Sequence, residues 1–257
     1  MLTIRQEQML AFQQGRQDDI VRRIRGQFDQ FFPVDRELLG ENAATGLVVL
    51  AIHRARAHGF ATIGGAWRYL CLMVALGSHF DEDPWLPWAA ERLRPETGPP
   101  DERMASLVDA ALAHMDLAAG LEGERHLTAL RRACAMSAGD LARFAGVPPV
   151  DALDALARTL HRHKHALAPK AVPRAVARAR EHAQKLRLDT PAGGLLLAGL
   201  AFLLGSGFLE DPAHVWVLAA LDSDAAPAAR CDAVLAAGAA RLARAEEAIA
   251  LHARREG

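Results

Sequence analysis

Leu76-Gly77-Ser78-His79-Phe80-Asp81-Glu82-Asp83-Pro84 returns 128 residues later as Leu204-Gly205-Ser206-Gly207-Phe208-Leu209-Glu210-Asp211-Pro212. Both stretches read as the end of an apolar helix and the start of the next element. Gly77 and Gly205 close the helices, because a residue without Cβ enters the left-handed region at little steric cost. Asp83-Pro84 and Asp211-Pro212 begin the next element: Asp as an N-cap that accepts from backbone N–H groups, Pro at the first helical position, where its missing N–H costs nothing. Gly64-Gly65 and Pro191-Ala192-Gly193-Gly194 precede the two most apolar stretches, which are predicted as helices over 66–76 and 194–204.

The correspondence extends in both directions. Trp88 and Leu93 pair with Trp216 and Leu221 at the same offset, and Arg54-Ala55-Arg56-Ala57-His58 pairs with Arg178-Ala179-Arg180-Glu181-His182. Phe12, Asp19, Ile24 and Phe28 align with Phe144, Asp151, Leu156 and Leu160. The offsets change near 184–190 and near Pro169 and Pro173, segments of turn composition where insertions are tolerated. The expectation is a tandem duplication, with copy one over 1–123 and copy two over 124–257. So long a period excludes a solenoid; the copies are expected to pack as one body or as two similar lobes.

Helical signals run through the rest of the chain. A first helix, capped by Thr3, carries the apolar stripe Met9, Phe12, Ile20, Ile24, Phe28, Phe31 with a break near Gly15. A second, over 43–58, shows Leu47, Leu50 and Ala51 on one face and places Arg54 and Arg56 near its C-terminus, where cations complement the helix dipole. Amphipathic helices over 101–117 and 226–253 close the two copies. β-branched alternation is scarce, so the predicted class is all-α.

The chain has 257 residues, 51% hydrophobic and 24% charged, with 30 basic and 31 acidic side chains. That balance gives no field to attract nucleic acid or anionic lipid. Cys71, Cys134 and Cys231 are odd in number, without a C-x-x-C, and suit a reducing compartment as buried small side chains. The N-terminus, polar from Arg5 onward, lacks the apolar core of a signal peptide, and a cytoplasmic protein is expected. Gly193 to Leu209 is free of charge, but it is short for a membrane span and is read as a buried core helix.

Candidate chemistry is sparse. Asp81-Glu82-Asp83 lacks the alternating carboxylates and final bidentate Glu of a calcium loop, and capping explains it. His161 and His165 share a helical face, but two ligands make a poor metal site, and with Arg162, His163 and Lys164 they read as a solvated basic helix end. Residues 137–156 have a helix-turn-helix rhythm, yet Asp151 and Asp154 would face phosphates. G-x-S-x-G, H-E-x-x-H and a Walker lysine are missing. No catalytic residue, metal ligand or cofactor is assigned. The copies differ most around the repeated loop, where copy one holds Arg68, Tyr69, His79, Asp81 and Trp85. Aromatic side chains beside mixed charge are the composition of protein interfaces, so these five are the expected partner-binding residues.

Ile4-Arg5-Gln6-Glu7-Gln8-Met9…Phe12, with His58-Gly59-Phe60…Arg68-Tyr69-Leu70…Leu76-Gly77-Ser78…Phe80-Asp81…Asp83-Pro84…Pro87-Trp88-Ala89-Ala90, resembles a group of small helical bacterial proteins encoded beside type VI secretion spike-tip and effector genes. The resemblance covers about residues 1–117; copy two keeps only the Gly-Ser…Phe…Glu-Asp-Pro…Trp skeleton. It implies no catalytic residues. It implies a cytoplasmic, non-enzymatic adaptor or chaperone for a secreted effector, with an immunity protein or a small helical enzyme as the alternatives.

Overall fold

The computed structural model describes the backbone of residues 6–256 and the side chains of residues 15 and 17–254. The fold is all-α. Its first half, among the described residues, comprises α1 (Gln6–Phe31), α2 (Pro33–Ala57), α3 (Ile63–Leu76), α4 (Pro87–Arg92) and α5 (Pro100–Ala118). The second comprises α6 (Glu124–Cys134), α7 (Ala138–Ala142), α8 (Pro149–Leu167), α9 (Val172–Lys185), α10 (Pro191–Leu204), α11 (Val215–Leu221) and α12 (Pro227–Glu256). Short 3₁₀ turns lie at Pro95–Thr97, Pro169–Ala171 and Pro212–His214. No helix among the described residues is long and apolar enough to cross a membrane.

The two apolar helices begin alike. The Thr62 hydroxyl accepts from Gly65 N in α3, and the Thr190 hydroxyl accepts from Gly193 N in α10. Each therefore starts about three residues before the predicted point, because a threonine cap commits the glycines to the first turn. They end alike too, at Gly77 with φ 98° and Gly205 with φ 96°. The second half shows the predicted restart, with Asp211 capping the 3₁₀ turn at Pro212 through Ala213 N at 2.8 Å. The first half departs from it. Asp83 accepts from Trp85 N at 2.9 Å, but helix α4 waits until Pro87.

Two helices are broken inside. Gly40 (φ 73°, ψ 174°) interrupts α2, and His161 (φ −149°, ψ 76°) interrupts α8. The α8 break takes carbonyls off the helical ladder, and Arg132 Nη1 of α6 donates to Thr159 O and Leu160 O at 3.2 and 3.3 Å. The predicted break near Gly15 is absent, since α1 runs on without interruption. Thr3, and the side chains of Met9 and Phe12, lie outside the described residues.

Each half has its own core. Ile24, Phe28, Leu47, Val48, Tyr69, Leu70, Met73 and Phe80 fill the first, and Leu153, Leu156, Leu160, Leu197, Phe202 and Phe208 belong to the second. Trp85 joins them: it comes from the first half but packs in the second core, its ring 4.6 Å from Phe202 in an edge-on contact. The long helix α12 touches α2 of the first half as well as α6, α7, α10 and α11 of the second. The halves thus share one packed body.

Candidate functional site

The repeated loops meet each other at the centre of this body. Gly77 and Gly205 touch backbone to backbone: a Cβ added to Gly77 would sit 2.8 Å from Leu204 O, and one on Gly205 would sit 3.2 Å from Gly77 Cα. Their aspartates cross over. Ser78 N donates to Asp211 Oδ2 at 3.3 Å, and Ser206 N donates to Asp83 Oδ2 at 3.1 Å. Each carboxylate thereby serves two backbone donors, one in its own turn and one in the opposite loop. All four of Ser78, Asp83, Ser206 and Asp211 are buried, so these bonds form away from competing water.

The reciprocity fails at one position. His79 stands where the opposite loop has Gly207, and a Cβ on Gly207 would fall onto the His79 ring. Only one of the two positions has room for a side chain. The imidazole makes contacts on both sides, Nδ1 to Ser78 Oγ at 2.9 Å and Nε2 to Glu210 Oε2 at 3.3 Å. Burial, with the Arg54 charge, lowers its pKa below the ordinary value, although Glu210 and Glu82 oppose this. A neutral ring carrying its proton on Nε2 accepts at Nδ1 from the Ser78 hydroxyl and leaves Nε2 within 3.3 Å of the Glu210 carboxylate.

Beside His79 lies an ionic cluster that joins three elements. Arg54 Nη2 of α2 donates to Asp81 Oδ1 at 2.5 Å and to Glu82 Oε1 at 2.8 Å, and His58 Nε2 meets Asp81 Oδ2 at 2.7 Å. Arg178 of α9 approaches Glu82 from the second half at 3.9 Å. Burial alone would raise the Asp81 pKa, but the hydrogen bonds from His58 and Arg54 outweigh it and hold the carboxyl at about 2. The Tyr69 hydroxyl is fully buried near both charges, without a hydrogen bond of ordinary geometry to either. Burial and then Asp81 push its pKa up. In the second half Leu209 replaces Asp81, and His182 packs edge-on against Phe208 at 6.2 Å with Nδ1 unpartnered among the described residues.

Ser78, His79 and Glu210 are connected in the order of a nucleophile, a base and an orienting carboxylate. Ser78 is only 2% exposed and His79 only 5%, so this geometry offers no surface on which a substrate could meet the hydroxyl. What the arrangement does here is lock the two loops together.

A second polar group lies deeper. Lys164 Nζ donates to Phe202 O at 2.6 Å and lies 5.4 Å from the Phe202 ring centre, and the His161 ring lies 6.0 Å from that of His126. Burial depresses the Lys164 amine, an effect the Asp83 charge partly offsets; burial also raises Asp83, which Lys164 counters. His114, His126 and His161 are each lowered to about 4, first by burial and then by the Lys164 charge. The expected solvated basic end at 161–165 is therefore corrected: His161, Lys164 and His165 are buried, because the break at His161 turns this face of α8 inward. His165 instead pairs with Asp154 at 2.7 Å. Among the described residues no group of three or more His, Cys, Asp or Glu side chains is placed to hold a metal ion.

The five expected partner-binding residues do not form one surface. Arg68 is exposed, whereas Tyr69, His79, Asp81 and Trp85 are buried. The reason is that the loop they surround faces the opposite loop rather than solvent. Their unseen partners are Arg54, His58, Glu82, Arg178 and Glu210; the pairing of 54–58 with 178–182 was the one available signal. The exposed aromatic surface lies elsewhere on the same helices. Phe31, 61% exposed, lies tilted 5.7 Å from the half-buried Trp67, which also lies 6.0 Å from Phe32, with exposed Ile63 and Arg68 nearby in the chain. The helical stripe assigned Phe31 to the core, but only its neighbours Ile24 and Phe28 are buried there. Comparison with protein-family models, curated proteins and solved structures gave no significant match.

Proposed function

We propose that this chain is a non-enzymatic, protein-binding accessory factor, acting as an adaptor or chaperone for a type VI secretion effector. The observation that carries the protein-binding reading is the surface of Phe31, Phe32, Ile63 and Trp67 beside Arg68. Arg68 holds no ion pair or hydrogen bond through its side chain among the described residues. An exposed ring, Phe31, and two half-buried ones, Phe32 and Trp67, next to an unpaired guanidinium are the make-up of binding hot spots, where rings exclude water around a charged pair. The surface fits a partner that lays an apolar side chain on Trp67 and brings a carboxylate to Arg68. The secretion context comes from the resemblance of residues 1–117 alone. The proposal includes the tandem duplication, which the crossed Asp83 and Asp211 bonds support.

The test is capture from the native host with wild-type and Trp67→Ala/Arg68→Glu baits, followed by calorimetry on the purified captured protein. A spike-tip or effector protein is expected with the wild type, its affinity reduced at least about tenfold by the double variant, a loss of about 1.4 kcal/mol. Arg68 lies at the surface and Trp67 is half-buried against the first core, so a fall in melting temperature is expected, and the helical circular dichroism spectrum establishes that the double variant is folded. Equal affinity for both baits would remove this surface from the proposal. Absence of any secretion protein from the wild-type capture would remove the context.

A further inference from the structure

Beside α12 the second half leaves a cavity of about 190 Å³. Helices α6, α10 and α12, with the turn leading into α11, wall it, and Leu38 of α2 closes it from the first half. Leu130, Leu203 and Leu242 are typical of its lining. Gly238 lets α12 come close: an added Cβ there would sit 3.4 Å from the Trp216 ring and 3.9 Å from Cys134 Sγ, and both side chains belong to the lining. Every lining residue is buried or half-buried, so the cavity suits a small molecule and offers no surface to a folded partner. An apolar cavity of about 150 Å³ takes up benzene, so there is room here for a hydrocarbon of about six to eight carbons.

One lining residue is charged. Arg241 of α12 is half-buried and holds a single hydrogen bond, from Nη1 to Leu38 O at 3.4 Å, two residues before the break at Gly40. A guanidinium carries five N–H donors, and among the described residues no carboxylate forms an ion pair with this one. Asp35 of α2 and Arg244 of α12 act on it through their charges alone: burial and then Arg244 lower its pKa, and Asp35 opposes them. The other polar side chains of the lining, His214, Trp216 and Cys134, bring no negative charge. A cation set into an apolar wall without an ion pair is costly, and a carboxylate that takes its free donors offsets that cost. We infer that this cavity binds a small apolar carboxylic acid, with its hydrocarbon among the leucines and its carboxylate on Arg241. The cavity is separate from the Trp67 surface, and its ligand is independent of any partner bound there.

The probe is octanoate, titrated into the full chain at pH 7.5 by calorimetry, with octan-1-ol and octylamine as controls. Octanoate should bind at one site per chain, and both controls at least about tenfold more weakly. Arg241→Met keeps an apolar stem without the charge; it should bind octanoate at least about tenfold more weakly and octan-1-ol as wild type does. Ala245→Leu, which narrows the cavity from its lining, should weaken both ligands. Melting curves establish that the variants fold. In the wild type, saturating octanoate should slow the reaction of Cys134 with N-ethylmaleimide and leave that of Cys71, on α3, unchanged, a readout that needs no variant. The inference is overturned if octanoate does not bind, if either control binds equally, if folded Arg241→Met or Ala245→Leu binds octanoate as wild type does, or if Cys134 is not protected.

Discussion

Asp83 illustrates how far one residue can be read without its neighbours. An Asp-Pro step after a glycine-terminated helix announces a carboxylate that accepts from its own turn, and Trp85 N does donate to Oδ1. The other oxygen takes Ser206 N, 123 residues away, a partner that no local pattern contains. A turn cap lost to alanine costs about 1 kcal/mol. Here two buried N–H groups would be stranded, each worth roughly 1–3 kcal/mol. Asp83→Ala should therefore lower the free energy of unfolding by about 2–6 kcal/mol in urea denaturation. A loss near 1 kcal/mol would mean that the crossed bond to Ser206 contributes little.

At the scale of elements, helix ends were legible and helix interiors were less so. Thr62, Gly77, Thr190 and Gly205 act within a few residues of themselves, and the structure places them at helix boundaries. The break at His161 arises from packing against α6 and α10, where Arg132 and Phe202 bind its surroundings, and nothing within α8 marks it. Gly40 differs, because a glycine inside an otherwise helical stretch can signal a conformation closed to other residues. Its φ and ψ lie in a region essentially restricted to glycine, and an added Cβ there would touch nothing. Gly40→Ala should thus act through backbone strain alone, lowering stability by roughly 1–3 kcal/mol. A rise in the melting temperature, the usual result of Gly→Ala in a regular helix, would show that α2 runs straight.

For the whole molecule, the contact between halves buries titratable groups and couples folding to pH. His114, His126 and His161 titrate at about 4 in the folded protein against an ordinary 6.5. They face Lys164, with Arg125 and Arg132 near His161 and Asp83 on the far side of Lys164. Between those values the unfolded chain binds more protons, so stability is fully present above pH 6.5 and is lost as pH falls towards 4. Asp81, held at about 2, adds a loss only below the ordinary carboxylate range. Asp35 and Asp83, raised by burial, act in the opposite sense. The net effect should be a fall in stability between pH 6.5 and 4, read from urea midpoints across that range. A flat profile would show that the three imidazoles are hydrated when folded.

The sequence determined what depends on neighbours within a turn or two: helical composition, the glycine and threonine ends of α3 and α10, and the likeness of the two loops. Tertiary structure decided where the polar residues went. His79, Asp81, Lys164 and Trp85 carry surface-like or ambiguous signatures; His79 and Trp85 are buried against the opposite half, while Asp81 and Lys164 find Arg54, His58 and Phe202 O within their own. A hydrophobic pattern records which side of a helix avoids water, but it cannot record a polar group whose partner arrives from another helix. The same closure directed the repeated loop inward and left Phe31, Trp67 and Arg68 at the surface, since packing, not residue type, selects which aromatic rings stay in contact with solvent.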